Sequence, residues 1–187
     1  MSDRPVVILD PHFRGLEELF TAGDLERLHR MATVVWGRNE PMPDDQFLAA
    51  LPEAVAVISA EWRYGDVLPQ AKKLRAYFSV AGAFPLTIDH DYCFAHQIRI
   101  LSIAPVFARQ VAEMCLGMAI DACREISLGD RLFRMGRELY LHAGNTTTFM
   151  LYDPPVGLIG YDSIPRELHR LRKPFGGLIS AYDPWIT

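Results

Sequence analysis

The sequence predicts an α/β protein built on parallel sheets, and three observations carry that reading. Short runs of β-branched and apolar residues alternate with stretches of helical periodicity, and Pro, Gly and Asp mark the joins. A long unbroken apolar stretch then separates a first set of strands from a strand–helix–strand set near the end. The chain has 187 residues, half of them apolar and 22% charged, which is enough apolar material for a core and room for one domain or two small ones. Its formal charge of −4 gives no reason to expect nucleic acid or an anionic membrane surface as partner. No apolar run reaches the roughly 18 residues of a membrane helix, and MSDRPVVILDP lacks the shape of a signal peptide, so a cytoplasmic protein is expected. Cys93, Cys115 and Cys123 are too few for a disulfide framework and lack zinc-type spacing, so no metal site is expected.

Pro5 to Leu9 is a continuous β-branched run closed by Asp10-Pro11, the pattern of a buried parallel strand. Leu16, Leu19, Phe20, Leu25 and Leu28 recur at helical spacing and place one or two helices over Gly15 to His29. Thr33 to Trp36 reads as a second strand. Pro41 to Asp45 marks a turn and a helix start, with a short helix over Phe47 to Leu51. Ala54 to Ser59 is a third strand, Asp66 to Lys73 a helix with Pro69 near its start, Leu74 to Val80 a fourth strand and Ile98 to Ser102 a fifth. Residues 1–103 therefore read as a doubly wound α/β domain. From Val106 to Ile126 no breaker occurs except Gly117, which predicts a long, mostly buried helix suited to linking domains or lining a dimer contact, with Phe107, Met114 and Met118 read as core. A charged helix is expected over Asp130 to Tyr140, and a polar connection over Leu141 to Tyr152.

The last stretch, Pro155 to Pro184, carries the most chemistry. Val156 to Gly160 reads as a strand, Ile164 to about Lys173 as an amphipathic helix, and Gly177 to Tyr182 as a strand that delivers Asp183. A strand, a turn into a helix and an acid about 20 positions later form the layout of a dinucleotide-binding half-unit. The glycine pattern is incomplete: its three positions hold Gly160, Asp162 and Pro165. Pro165 is tolerable in a first helical turn, where a missing N–H is an orphan donor anyway. Asp162 opposes a phosphate. A carboxylate about 5 Å from one phosphate charge costs roughly 3 kcal/mol at an effective dielectric of about 20. The six histidines are scattered, and no carboxylate–histidine pairing is legible.

Four segments together resemble the NAD-dependent D-2-hydroxyacid dehydrogenases, over the N-terminal portion of that family. They are Glu61 to Leu74 with Leu68-Pro69 and Lys73-Leu74, Ser79 to Asp89 with Gly82, Ile88 and Asp89, the triplet Val111-Ala112-Glu113, and Val156 to Asp183 with Lys173-Pro174-Phe175-Gly176 and Ala181-Tyr182-Asp183-Pro184. The resemblance implies a flavodoxin-like substrate domain over 1–103 and an incomplete Rossmann NAD-binding domain over 104–187. It implies a homodimer, and a small 2-hydroxy or 2-keto acid whose carboxylate is held by amides around Val80, Ala81 and Gly82. Phe84 replaces the usual second glycine there, and Pro105-Val106-Phe107-Ala108 replaces a polar turn. It further implies a cofactor turn of Gly160, Asp162, Ser163, Ile164 and Arg166, with Arg166 facing the pyrophosphate and Asp183 the adenosine ribose. That acid favours NAD, with binding weak or lost because of Asp162. The family's catalytic Arg, Glu and His lie beyond residue 187, so the expected chain is truncated and no catalytic residue is assigned. A catalytically silent dimeric binding module, and a different, for example hydrolytic, activity on the same scaffold, are the alternatives.

Overall fold

The computed structural model describes residues 4–186 and divides the chain into two compact units, Met1–Ala104 and Pro105–Thr187. In the first unit, β1 (Val6–Asp10), β2 (Thr33–Trp36), β3 (Ala54–Ser59), β4 (Ala76–Ser79) and β5 (Arg99–Ser102) form one parallel sheet in the order β2-β1-β3-β4-β5. That order puts a topological switch point between β1 and β3, and ligands of such sheets bind beyond the strands' carboxyl ends. Helices α1 (Leu16–Leu19), α2 (Ala22–Met31), α3 (Asp44–Ala50) and α4 (His90–Ala95) make the connections. Thr21 opens α2 by accepting the Asp24 amide at 3.2 Å. Ile8, Phe47, Leu51, Val57, Trp62 and Tyr77 are wholly or almost wholly buried in one core. The rings of Trp62 and Tyr77 meet edge to face there, 5.8 Å apart.

Two expectations in this unit need correction. The run Asp66 to Lys73 is no α-helix: a single 3-10 turn, Leu68–Gln70, stands there. Leu68, Ala71 and Leu74 are all buried, and a spacing of three matches a 3-10 turn and extended chain better than a 3.6-residue repeat. Helix α4 stands in a stretch to which the pattern assigned no element. Asp89 caps it by accepting the Tyr92 amide at 2.8 Å, and its one buried side chain, Cys93, is too little to generate a periodic signal.

In the second unit, α5 (Ala108–Arg124) and α6 (Ile126–Arg134) precede β6 (Val156–Ile159), α7 (Ser163–Arg172) and β7 (Ile179–Tyr182). β6 and β7 pair in parallel, and α7 packs on α5. The predicted long helix breaks at Glu125, whose left-handed backbone (φ 53°) ends α5 and starts α6. The second helix accordingly lies at 126–134 and not at 130–140, and Gly136 (φ 62°) turns the chain away just beyond it. Asp121 secures the break by accepting the Ser127 amide and hydroxyl, each at 2.7 Å. Met114 and Met118, expected in the core, are 59% and 65% exposed, because the buried stripe of α5 runs through Ala108, Ala112 and Cys123. Among the described residues no helix is long and apolar enough to cross a membrane.

Candidate functional site

Each unit presents its predicted site residues at the carboxyl end of its sheet. In the first unit, Val80, Ala81 and Gly82 follow directly on β4. The Val80 amide continues the sheet by donating to Ser59 O at 3.0 Å, and the Ala81 amide donates to Ser79 Oγ at 3.3 Å. Gly82 is exposed, and among the described residues its N–H has no protein acceptor. A Cβ placed on Gly82 would meet nothing within 4 Å, so the space beside its backbone is open. An unpaired amide beside open space at a sheet's carboxyl edge is a donor suited to one oxygen of a small carboxylate.

The same edge holds a buried polar network that sequence reasoning missed. Asp10, 2% exposed, closes β1 and accepts from Met42 N at 3.0 Å, from Arg63 Nη2 at 3.1 Å and from the Tyr64 hydroxyl. Arg63 reaches on to Asp44 at 2.8 Å. Burial, with the neighbouring Asp10 carboxylate, pushes the Tyr64 phenol far above its ordinary range, so it stays a neutral donor. The only signal in the sequence was a charged residue closing an apolar strand.

In the second unit, five of the six predicted cofactor residues lie on the turn from β6 into the first turn of α7, and Asp183, just after β7, bonds to that turn. Gly160 has φ 83°, a conformation that favours glycine, and its amide donates to Tyr182 O at 2.8 Å. Asp162 is the N-cap of α7, where Oδ1 accepts the Ile164 amide at 3.2 Å, and Ser163 begins the helix. The carboxylate thus stands at the helix pole where an anionic ligand would be stabilised. Pro165 lies in the first turn, where its missing N–H leaves no helix bond unmade. Arg166 turns back: Nε donates to Tyr161 O at 3.0 Å, and the guanidinium lies 4.9 Å from the Tyr161 ring centre. Asp183 accepts the Tyr161 amide at 2.6 Å and the Trp185 amide at 2.9 Å, and these backbone donors, Trp185 first, hold its carboxyl below the usual range. The turn is therefore closed on itself.

Behind this turn, the buried Arg172 donates to Gly176 O at 2.5 Å and to Pro154 O at 3.1 Å, which ties the end of α7 to the start of β6. His169 shares a 2.7 Å hydrogen bond with the Tyr161 hydroxyl. Among the described residues no histidine side chain hydrogen-bonds a carboxylate, and no group of three His, Cys, Asp or Glu could hold a metal ion.

No protein-family model matches the chain. D-3-phosphoglycerate dehydrogenase of Mycobacterium bovis is 28% identical over 151 residues, which cover 78% of this chain and 27% of that protein. Hydroxypyruvate reductase of Thermotoga maritima is 27% identical over 149 residues, covering 78% of this chain and 47% of the relative. The crystal structure of a phosphoglycerate oxidoreductase from Rhizobium etli superposes with a TM-score of 0.77 at 26% identity, over 98% of this chain and 57% of that one. The chain thus spans between about a quarter and a half of the length of these curated relatives.

Proposed function

We propose, from the premise that the chain is a relative of the N-terminal part of the D-2-hydroxyacid dehydrogenases, that it carries the acid-binding loop and the first cofactor turn of such an oxidoreductase. The loop at Val80, Ala81 and Gly82 receives the carboxylate of a small 2-hydroxy or 2-keto acid, with the Gly82 amide as the open donor. The turn at Gly160, Asp162, Ser163, Ile164 and Arg166, with Asp183, receives NAD weakly or not at all. The observation that carries this is Asp162, whose carboxylate caps α7 where a pyrophosphate would rest. When bound, NAD supplies the hydride acceptor. This chain's contribution is to orient the ribose through Asp183, provided that carboxylate accepts further donors beyond its two backbone bonds.

Calorimetric titration with NAD of the unmodified chain and of Asp162→Gly tests this. Glycine is a serviceable N-cap, only a few tenths of a kcal/mol worse than aspartate, so the variant keeps its helix while losing the charge. The expected outcome is binding improved by up to about a hundredfold, the ceiling for roughly 3 kcal/mol of relieved repulsion at a site open to solvent. Tight binding by the unmodified chain sinks the argument.

A second reading is favoured by a separate observation. Met114, Met118, Ile126 and Phe133 expose large apolar side chains on α5 and α6. A catalytically silent module that self-associates through these helices fits that surface.

A further inference from the structure

Ser79 and Ser102, the last residues of β4 and β5, lie side by side in the parallel register. Ser79 is fully buried and Ser102 half-buried. Both hydroxyls donate to the same short stretch of backbone, residues 81–83. Ser79 Oγ accepts the Ala81 amide at 3.3 Å and donates to Ala83 O at 3.0 Å. Ser102 Oγ donates to Ala81 O at 3.4 Å and accepts the Ala104 amide at 3.1 Å. The sheet continues into the same loop, since Val80 N donates to Ser59 O and Ile103 N donates to Ser79 O at 3.2 Å. Ala81 and Ala83, on either side of Gly82, are thereby held by hydroxyls from two strands. Gly82 itself keeps an exposed amide without an acceptor among the described residues.

We infer that Ser79 and Ser102 are positioning residues whose hydroxyls fix residues 80–83 so that the Gly82 amide remains open to the carboxylate of a small 2-hydroxy or 2-keto acid. The inference rests on the acid-binding reading of this loop. Neither serine has a donor left for the carboxylate: Ser79 Oγ donates to Ala83 O and Ser102 Oγ donates to Ala81 O. Their effect is preorganisation: a loop ordered before binding loses less conformational freedom when the ligand arrives.

The test is an NMR titration of the full, 15N-labelled chain with pyruvate, read at the Gly82 amide, beside thermal melts of each variant. Pyruvate is expected to move the Gly82 resonance saturably in the unmodified chain. Ser102→Ala is expected to weaken that binding about fivefold or more, the scale of one hydrogen bond, with little change in melting. Ser102→Thr keeps the hydroxyl and restores affinity. Ser79→Ala follows the same pattern, and if its buried site fails to fold, the half-buried Ser102 carries the test. Gly82→Ala folds normally, having no clash and no left-handed backbone, yet its methyl occupies the ligand's approach and abolishes the shift. Equal affinity and an equal Gly82 shift in Ser102→Ala overturn the positioning role while leaving the acid-binding loop standing. A Gly82 resonance that pyruvate does not move in the unmodified chain overturns both.

Discussion

At the scale of single residues, two aspartates fasten the turn between β6 and α7. Asp162 supplies the negative end of a helix cap, and Asp183 supplies the acceptor that closes the turn. Asp183 also predicts an acid response. Its folded-state pKa lies below the ordinary carboxylate value of about 3.9, so the unfolded chain binds more protons in that window. Its contribution to stability is present above about pH 4 and is lost as pH falls through the lowered value. Carboxyl 13C titration should place Asp183 below the ordinary carboxylate value, and Asp183→Asn should flatten the acid limb of the stability profile. An acid limb unchanged in Asp183→Asn removes this account. Gly177 is fixed by sterics and not by charge: with φ 72°, a Cβ there would sit 2.6 Å from Asp153 O and 2.7 Å from Pro154 O. The paired glycines after α7 serve this close approach to the start of β6.

At the scale of elements, the departures from expectation share a cause. Apolar periodicity reports which face of a segment is buried, and it is weak at reporting where the backbone turns. The stretch through Ile126 keeps its apolar residues across a break made by a left-handed glutamate and closed by an aspartate four residues earlier. Residues 68–74 bury every third residue, which a search for helix reads as helix. Helix α6 also contains a removable weakness. Gly129 is exposed, has ordinary helical backbone, and has nothing within 4 Å of an added Cβ. Gly129→Ala is expected to stabilise the second unit by about 0.5–1 kcal/mol, through the conformational freedom glycine loses on folding. Chemical denaturation followed by helical circular dichroism measures it, and a destabilised variant would show that the face of Gly129 is covered by a partner.

At the scale of the whole molecule, the exposed surface of the second unit is the notable feature. β6 and β7 form a two-stranded sheet with Ile159 93% and Tyr182 70% exposed, and α5 and α6 expose Met114, Met118, Ile126 and Phe133. Isolated two-stranded sheets are marginal in water, and large apolar patches favour association. Sedimentation equilibrium across a wide concentration range is expected to show a dimer that dissociates on dilution, and that Met118→Glu weakens by like-charge and desolvation costs across the contact. A strict monomer at high concentration eliminates the self-association reading.

Much of the architecture was legible in the sequence by itself. Every strand was placed to within a few residues, the parallel alternation of the first unit was predicted, and the half-unit from Val156 to Asp183 was recognised. The relationship to the hydroxyacid dehydrogenases was legible as well, because buried parallel strands and turn residues leave their mark within a few neighbouring positions. Only the tertiary structure decided which site groups remain available. The Val80 amide is taken by Ser59, 21 residues earlier, the Tyr161 amide by Asp183, 22 residues later, and Asp10 by Met42, Arg63 and Tyr64, 32 to 54 residues on. A local pattern shows which residues form a loop. The fate of each donor depends on partners brought close by folding, and that leaves Gly82 open while the turn at Asp162 closes on itself.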